Sequence, residues 1–420
     1  MSKYLPRVID GILDEYLEAF GAVLIRGPKW CGKTTTAEQR AGSVLRMQDP
    51  DNFRAYLEMA NFMPSRLLEG ETPRLIDEWQ MAPVLWDAVR SAVDERQKVG
   101  QFILTGSTVI DHNHILHTGT GRIAKIDMRP MSLFESNESN GAVSLTSLFS
   151  KQKFTGAKSE LSVGGLVFSI CRGGWPASIG LSEKASLLVA RSYVEAIISD
   201  DARRIDPSIS DPERVRAILR SYSRNISTLA TNRSILRDIT ANDLTMDEST
   251  LYRYLTALKS LFVIQDIPAW NPAIRSSTTM RSTSKKGFVD PSIAVAALAL
   301  TPSQLLDDLQ TLGFFFESLC IRDLQIYAAK QGGEISYYRD RYGLECDIVL
   351  HLDNGRYALI ETKLGSLEID EASEHLLKLQ DLISKNGMLQ PEFLMVLTAG
   401  QYSYIRDDKV LVVPIGCLKP

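Results

Sequence analysis

Apolar positions in the first quarter of the chain fall into short runs of strand length. Residues 22–26 (AVLIR), 75–78 (LIDE) and 102–107 (FILTGS) each read as a buried strand that ends in polar or charged residues. A helical pattern opens at 35–39 (TTAEQ), directly after the first run. Residues 136–165 are rich in Ser, Gly and Asn and keep no period, which predicts an irregular excursion. From about residue 182 helical spacing dominates, through 183–199 and 212–227. Two further helices are predicted within 234–264, separated by the polar stretch 240–246, with Asp247 as N-cap of the second. Leu251, Tyr254, Leu255 and Leu258 would face inward, and Thr250, Arg253 and Lys259 outward. Phe262-Val263-Ile264 then starts a strand, so the segment reads as a helix–turn–helix with a wing. The last quarter predicts an amphipathic helix at 313–326, followed by strands at 335–340, 346–352 and 358–365. Turns at 341–345 and 353–355 join them. The expected fold class is α/β in three parts: 1–180 around the early strands, 181–300 helical with the winged helix, and 301–420 α/β.

Composition narrows the class. A chain of 420 residues with 44% hydrophobic and 23% charged residues can bury sizeable cores, which excludes a disordered or fibrous protein. No run of 18 apolar residues occurs, so no membrane partner is expected. MSKYLPRVIDG carries no apolar segment with a small-residue cleavage site, and Cys31, Cys171, Cys320, Cys346 and Cys417 show no CxxC spacing. Free thiols in a reducing, cytoplasmic setting are the expectation. The net charge of −4 gives no whole-chain signal for nucleic acid, but charge is uneven. Between 214 and 286 stand twelve Arg and Lys (214, 216, 220, 224, 233, 237, 253, 259, 275, 281, 285, 286) against five acids (238, 243, 247, 248, 266), a local balance of 12 − 5 = +7. Arg216, Arg220 and Arg224 share one helical face. A basic winged helix in an acidic chain is the footprint of phosphate-backbone contact, which favours DNA as a partner.

The first apolar run leads into the strongest chemical signal. Gly27-Pro28-Lys29-Trp30-Cys31-Gly32-Lys33-Thr34, followed by Thr35, is G-x-x-x-x-G-K-T between a strand and a helix, the context a P-loop requires. Glycine lets the backbone curl so that successive amides converge on phosphate oxygens. The helix starting at Lys33 adds its positive end. Lys33 would reach the β- and γ-phosphates of ATP, and Thr34 would offer its hydroxyl to Mg²⁺. Asp77 and Glu78 end the next strand as a Walker B pair would, Asp77 on the metal and Glu78 polarising the attacking water. Ser107, and less directly Thr105, ends the third strand where a γ-phosphate sensor belongs. Arg122, in a glycine-rich turn, is a candidate arginine finger onto a neighbouring subunit of a homo-oligomer, an internal sensor, or equally a plain surface arginine. Cys31 among loop amides could be a reactive thiolate or a small buried filler. Asp111-His112-Asn113-His114 with His117 invites a metal reading, but without a Cys a polar loop fits better.

Tyr4-x-x-Arg7-x-x-Asp10, GPKWCGKTT, LIDEWQ, FILTGS and Arg172-Gly173-Gly174-Trp175-Pro176 follow one another in an order that resembles the AAA-type prokaryotic ATPases carrying a DUF4143 C-terminal region. The resemblance spans nearly the whole chain and departs at Trp30 and Cys31, where that family more often has glutamine and a small aliphatic residue. It implies ATP and Mg²⁺ as ligands. The C-terminal order of a helix Glu317, a strand-borne Asp347, a hairpin and a strand carrying Glu361-x-Lys363 resembles the PD-(D/E)XK nuclease core, with which the DUF4143 region is grouped. Glu361 and Lys363 share a strand face, and Asp347 on the adjacent antiparallel strand reaches the same spot. Two carboxylates, Asp347 and Glu361, with a backbone carbonyl would suit Mg²⁺ or Mn²⁺. Lys363 would orient or deprotonate water, and Glu317 would complete the shell. The leading expectation is therefore Mg²⁺-dependent ATP hydrolysis coupled to nucleic acid, with metal-dependent cleavage at the C-terminal centre. The rival is a nucleotide-gated DNA-binding switch whose nuclease-like domain is silent. A protein-remodelling ATPase is a third, weaker reading.

Overall fold

The computed structural model describes residues 4–107, 117–241, 245–270 and 283–420. The histidine-rich run at 111–114 and the arginines at 275 and 281 lie outside those residues. Compactness gives two units, residues 1–130 with 260–262, and residues 131–259 with 263–420.

The N-terminal unit runs α1 (Val8–Ala19), β1 (Ala22–Arg26), α2 (Lys33–Glu38), β2 (Ser43–Arg46), α3 (Phe53–Phe62), α4 (Pro64–Leu67), β3 (Arg74–Asp77), α5 (Val84–Arg96), β4 (Phe102–Gly106) and β5 (Ile123–Asp127). The strands form one parallel sheet in the order β2-β3-β4-β1-β5. Strands β1 and β4 are almost wholly buried, as their unbroken apolar runs require, because helices cover both faces of a parallel sheet. Two apolar clusters flank it, one around Trp79, Trp86, Leu85 and Met47, the other around Leu13, Val23, Ile25 and Ile103. Parallel pairing aligns the carboxyl ends of β1, β3 and β4 on one edge, so the groups after Arg26, Asp77 and Gly106 meet there.

The second unit begins with β6 (Val143–Ser144), α6 (Leu145–Phe149), α7 (Val163–Arg172), α8 (Glu183–Ala196), α9 (Ala202–Ile205), α10 (Pro212–Arg224), α11 (Asn232–Thr240), α12 (Glu248–Ser260), α13 (Pro291–Ala297), α14 (Pro302–Asp307) and α15 (Leu309–Ala329). It continues through β7 (Glu334–Arg339), β8 (Glu345–His351), β9 (Tyr357–Lys363), α16 (Ile369–Lys385), β10 (Leu394–Thr398), β11 (Tyr404–Ile405), β12 (Leu411–Pro414) and β13 (Leu418–Lys419). Six strands form a mixed sheet ordered β11-β12-β10-β9-β8-β7, and β13 pairs with β6 apart from it. Helix α16 closes a core with Val349, Leu359, Val396 and Val412.

Buried charge explains why residues from 131 on belong with the C-terminal sheet. Asp323 on α15 is fully buried and accepts from the Leu133 amide at 2.9 Å. Arg322 bridges Asp323 at 2.7 Å and Asp290 at 2.9 Å, and Asp290 in turn accepts from the Gly174 amide and caps α13 through Ser292. The Arg172-Gly173-Gly174-Trp175-Pro176 run is thus anchored: Trp175 donates to Ser292 Oγ, and Gly174 packs so tightly on Met131 that a Cβ would meet the Met131 carbonyl at 2.1 Å.

Helices α11 and α12 take the helix–turn–helix positions. Leu251, Tyr254, Leu255 and Leu258 are buried, and Arg253 and Lys259 exposed, as their spacing predicts. Thr250, expected outside, is 6% exposed. It lies in the first turn, where the Asp247 carboxylate accepts from its amide at 2.6 Å. After α12 the chain pairs antiparallel with itself through the bridges Ile264–Phe288 and Ile267–Lys285.

Candidate functional site

The phosphate loop follows β1 and is held by its own backbone chemistry. Gly27 has φ 151° and a Cβ there would meet the Met128 carbonyl at 2.1 Å, so only glycine fits. Gly32 reaches φ 100° just before α2 begins at Lys33. Trp30, at φ 65° and 48% exposed, is a bulky residue in the left-handed region, the kind of outlier that gathers at functional sites. Cys31 is fully buried with its thiol toward the Met128 carbonyl at 3.8 Å, the placement of a small filler inside the loop.

The Tyr4, Arg7 and Asp10 motif braces this loop. Arg7 donates to the Cys31 carbonyl at 2.9 Å and the Arg129 carbonyl at 2.7 Å. Tyr4 donates to Asp10 at 2.7 Å and lies 3.1 Å from Thr36 Oγ1 on α2. Burial pushes the Tyr4 phenol up, so it stays a neutral donor.

Lys33 is 5% exposed, and its ammonium donates to the Gly27 and Pro28 carbonyls at 3.0 and 2.7 Å. That places the charge at the loop mouth. Thr34 Oγ1 donates to Asp77 Oδ1 at 2.6 Å, which brings together two hard oxygen donors on adjoining elements, a set that fits Mg²⁺. Thr105, read as the less well placed sensor, also donates to Asp77 Oδ1 at 2.6 Å. Ser107 Oγ lies 3.3 Å from Glu78 Oε2. Glu78 adopts φ 55°, a left-handed conformation that turns its carboxylate off the end of β3. Gln80 donates to the same carboxylate oxygen. Sequence reading missed Gln80; its only signal was its place two residues after Glu78 in LIDEWQ. Lys29 and Thr35 belong to the same loop and the start of α2.

Arg122 is corrected. It immediately precedes β5, and Ala22, the first residue of β1, hydrogen-bonds to its carbonyl. It therefore lies at the amino edge of the sheet, whereas the phosphate loop leaves the carboxyl edge, five residues or ~16 Å along the strand. Its guanidinium pairs with Asp94 at 2.8 Å. An internal-sensor role is out of reach.

In the second unit, Glu317, Asp347, Glu361 and Lys363 do converge. Glu361 is 4% exposed, with Lys363 Nζ at 3.9 Å, and Asp347 Oδ2 accepts from the Thr362 amide and hydroxyl at 3.0 Å each. A residue the sequence reading counted as surface charge joins them. Lys285, 6% exposed, puts its ammonium 2.5 Å from Glu317 Oε1, 3.2 Å from the Asp347 carbonyl and 3.7 Å from Asp347 Oδ1. Burial drives the Glu317 carboxyl up to about 7 despite Lys285 beside it. Burial and the neighbouring Asp347 raise Glu361 well above the usual range. Burial would raise Asp347 as well, but Lys285, Thr362 and Lys363 hold it below the carboxylate norm. Burial opposes the charge on Lys285, and Glu317 and Asp347 overcome it, so that lysine is held protonated. As arranged, these donors do not fit Mg²⁺ or Mn²⁺, because an ammonium already stands on them. Among the described residues no cluster of His, Cys, Asp and Glu has the geometry of a metal site.

The basic stretch is largely paired. Arg214 meets Asp211, Arg216 meets Glu195 and Glu213, Arg224 meets Asp238, and Lys259 and Lys286 both meet Asp266. Arg220, Arg233 and Arg237 are exposed with no ion pair among the described residues.

Three family models match separate stretches of the chain. Residues 19–137 match the AAA domain family, residues 165–304 a domain of unknown function (DUF8612), and residues 312–418 a domain of unknown function (DUF4143). The chain thus carries an AAA domain, the class its parallel sheet and phosphate loop define, and a DUF4143 domain. A search of curated proteins finds no match. Among solved structures, a Walker-type ATPase of Pyrococcus abyssi is similar at 17% identity and a TM-score of 0.42, over 69% of this chain and 94% of its own. Drosophila ORC bound to DNA is similar at 13% identity and a TM-score of 0.19, over 70% of this chain and 85% of its own. Both likenesses are too loose to define the fold. No helix among the described residues is long and apolar enough to cross a membrane.

Proposed function

We propose that the chain is a Mg²⁺-dependent P-loop ATPase whose turnover gates contact with nucleic acid, DNA in the first instance. The observation that carries the ATPase reading is that Thr34 and Thr105 both donate to one Asp77 carboxylate oxygen, with Lys33 at the loop mouth and Glu78 next in the chain. Loop amides from 27 to 34 and the Lys33 ammonium would take up the negative charge of the β- and γ-phosphates. Thr34 and Asp77 would hold Mg²⁺, which would neutralise phosphate charge when bound. Glu78 accepts the proton of the attacking water, and Gln80 and Ser107 fix its direction.

The nucleic-acid part is supported by the α11–α12 pair with the antiparallel segment after it, and by the exposed Tyr252, Arg253 and Thr256 on α12 with Arg233 and Arg237 on α11. Ion pairing leaves it a smaller basic surface than the local balance of charge implies. The C-terminal donors favour the switch reading over cleavage. The test is ATP turnover with and without duplex DNA at two salt concentrations. Stimulation that falls steeply as salt rises is expected, because phosphate contacts release counterions. Turnover indifferent to DNA at both concentrations, yet raised by a protein, would favour the remodelling alternative instead.

A further inference from the structure

The DUF4143 domain holds buried carboxylates, the residues expected to bind a divalent ion, that grip a lysine from the DUF8612 stretch before it. Lys285 is not there by chance rotation of a surface side chain. Its backbone is clamped by a reciprocal pair with Ile267, amide to carbonyl and carbonyl to amide, both at 2.9 Å. The next amide, Lys286, donates to the Thr228 carbonyl at 2.8 Å. From that fixed point the side chain enters the cluster. The ammonium contacts the Glu317 carboxylate and the Asp347 carbonyl, faces the Asp347 carboxylate, and lies 5.6 Å from the Tyr337 ring centre. Carboxylates with a backbone carbonyl are the hard donors Mg²⁺ or Mn²⁺ would need. A divalent ion within bonding distance of the same oxygens would overlap the ammonium and meet its charge at close range in a poorly solvated site.

We propose that Lys285 is the resident cation of this centre: its ammonium takes the divalent-ion seat between Glu317 and Asp347, and the DUF4143 domain works without a metal there. This rests on the C-terminal half of the proposed function and is independent of the ATP site. Lys363, partly exposed beside Glu361, is then more open to solvent than Lys285.

The test uses the full chain without nucleotide, titrated with Mn²⁺ and read by the paramagnetic signal of free Mn²⁺. In the wild type, Asp347→Asn should leave the number of bound Mn²⁺ unchanged, because nothing binds at that carboxylate. Lys285→Met should gain one Mn²⁺ per chain, and adding Asp347→Asn to it should remove that gain. A wild-type Mn²⁺ site lost on Asp347→Asn overturns the proposal. So does a folded Lys285→Met chain that gains no site. If Lys285→Met does not fold, the wild-type comparison decides alone, supplemented by melting: Mn²⁺ should raise the melting temperature of the wild type and of Asp347→Asn equally. Loss of nucleotide binding would sink the ATPase reading and leave this one standing.

Discussion

At the scale of single residues, both centres are defined by which atoms share a proton or a charge. Glu78, held by Gln80 and Ser107, is assigned the water. Glu78→Gln should keep nucleotide affinity and lower kcat by about 100-fold or more, the usual worth of a positioned base; a variant that hydrolyses like the wild type would remove the assignment. Glu317 offers a pH test. Its carboxyl is pushed from the usual 4.5 up to about 7 by burial. Between those values the folded chain keeps a proton the unfolded chain has released, so this group's contribution to stability falls as pH rises. The melting temperature should therefore carry a downward component from about pH 4.5 to about 7 that disappears in Glu317→Gln. An identical slope in the variant would place the titration elsewhere. Lys33, Thr34, Asp77 and Glu78 were legible in the sequence because phosphate chemistry demands fixed spacing. Lys285 was not, because one lysine in a basic run gives no sign that its strand turns inward.

Elements were legible where one rule dominated. Unbroken apolar runs gave β1 and β4, and a strict helical period gave the buried face of α12. Thr250 departed from its pattern because the first turn of a helix answers to its cap. The internal-sensor reading of Arg122 fell for a topological reason, since the sequence does not state which edge of the sheet a turn occupies. Connections made by buried charge were also invisible. Arg322, Asp290 and Asp323 are all but fully buried and join α13, α15 and the 131–133 backbone. Asp323→Asn leaves Arg322 with a single carboxylate. Loss of one partner from such a buried pair costs about 3–5 kcal/mol. Denaturant titration should show that loss, and a change near zero would mean the guanidinium finds water on its own.

For the whole molecule, the AAA domain and the DUF4143 domain give two charged centres of opposite design. One is an open-mouthed loop with a single ammonium and two hard oxygens, suited to a polyanion with its metal. The other is a closed group of carboxylates satisfied by Lys285, which comes from the DUF8612 stretch. Under the proposed function, nucleotide would be the variable charge of such a chain, and the second centre would carry its cation permanently. Motif order made the first centre readable in advance. The second needed coordinates, because its decisive contact joins residues 285 and 317 across separate elements. The central claim is that the loop from Gly27 to Thr34 binds a nucleoside triphosphate, and calorimetric titration of Mg·ATP into the full chain and into Lys33→Ala tests it most directly. Saturable heat in the wild type that vanishes in Lys33→Ala is the predicted result; no heat in the folded wild type, or equal heat in both, would contradict it.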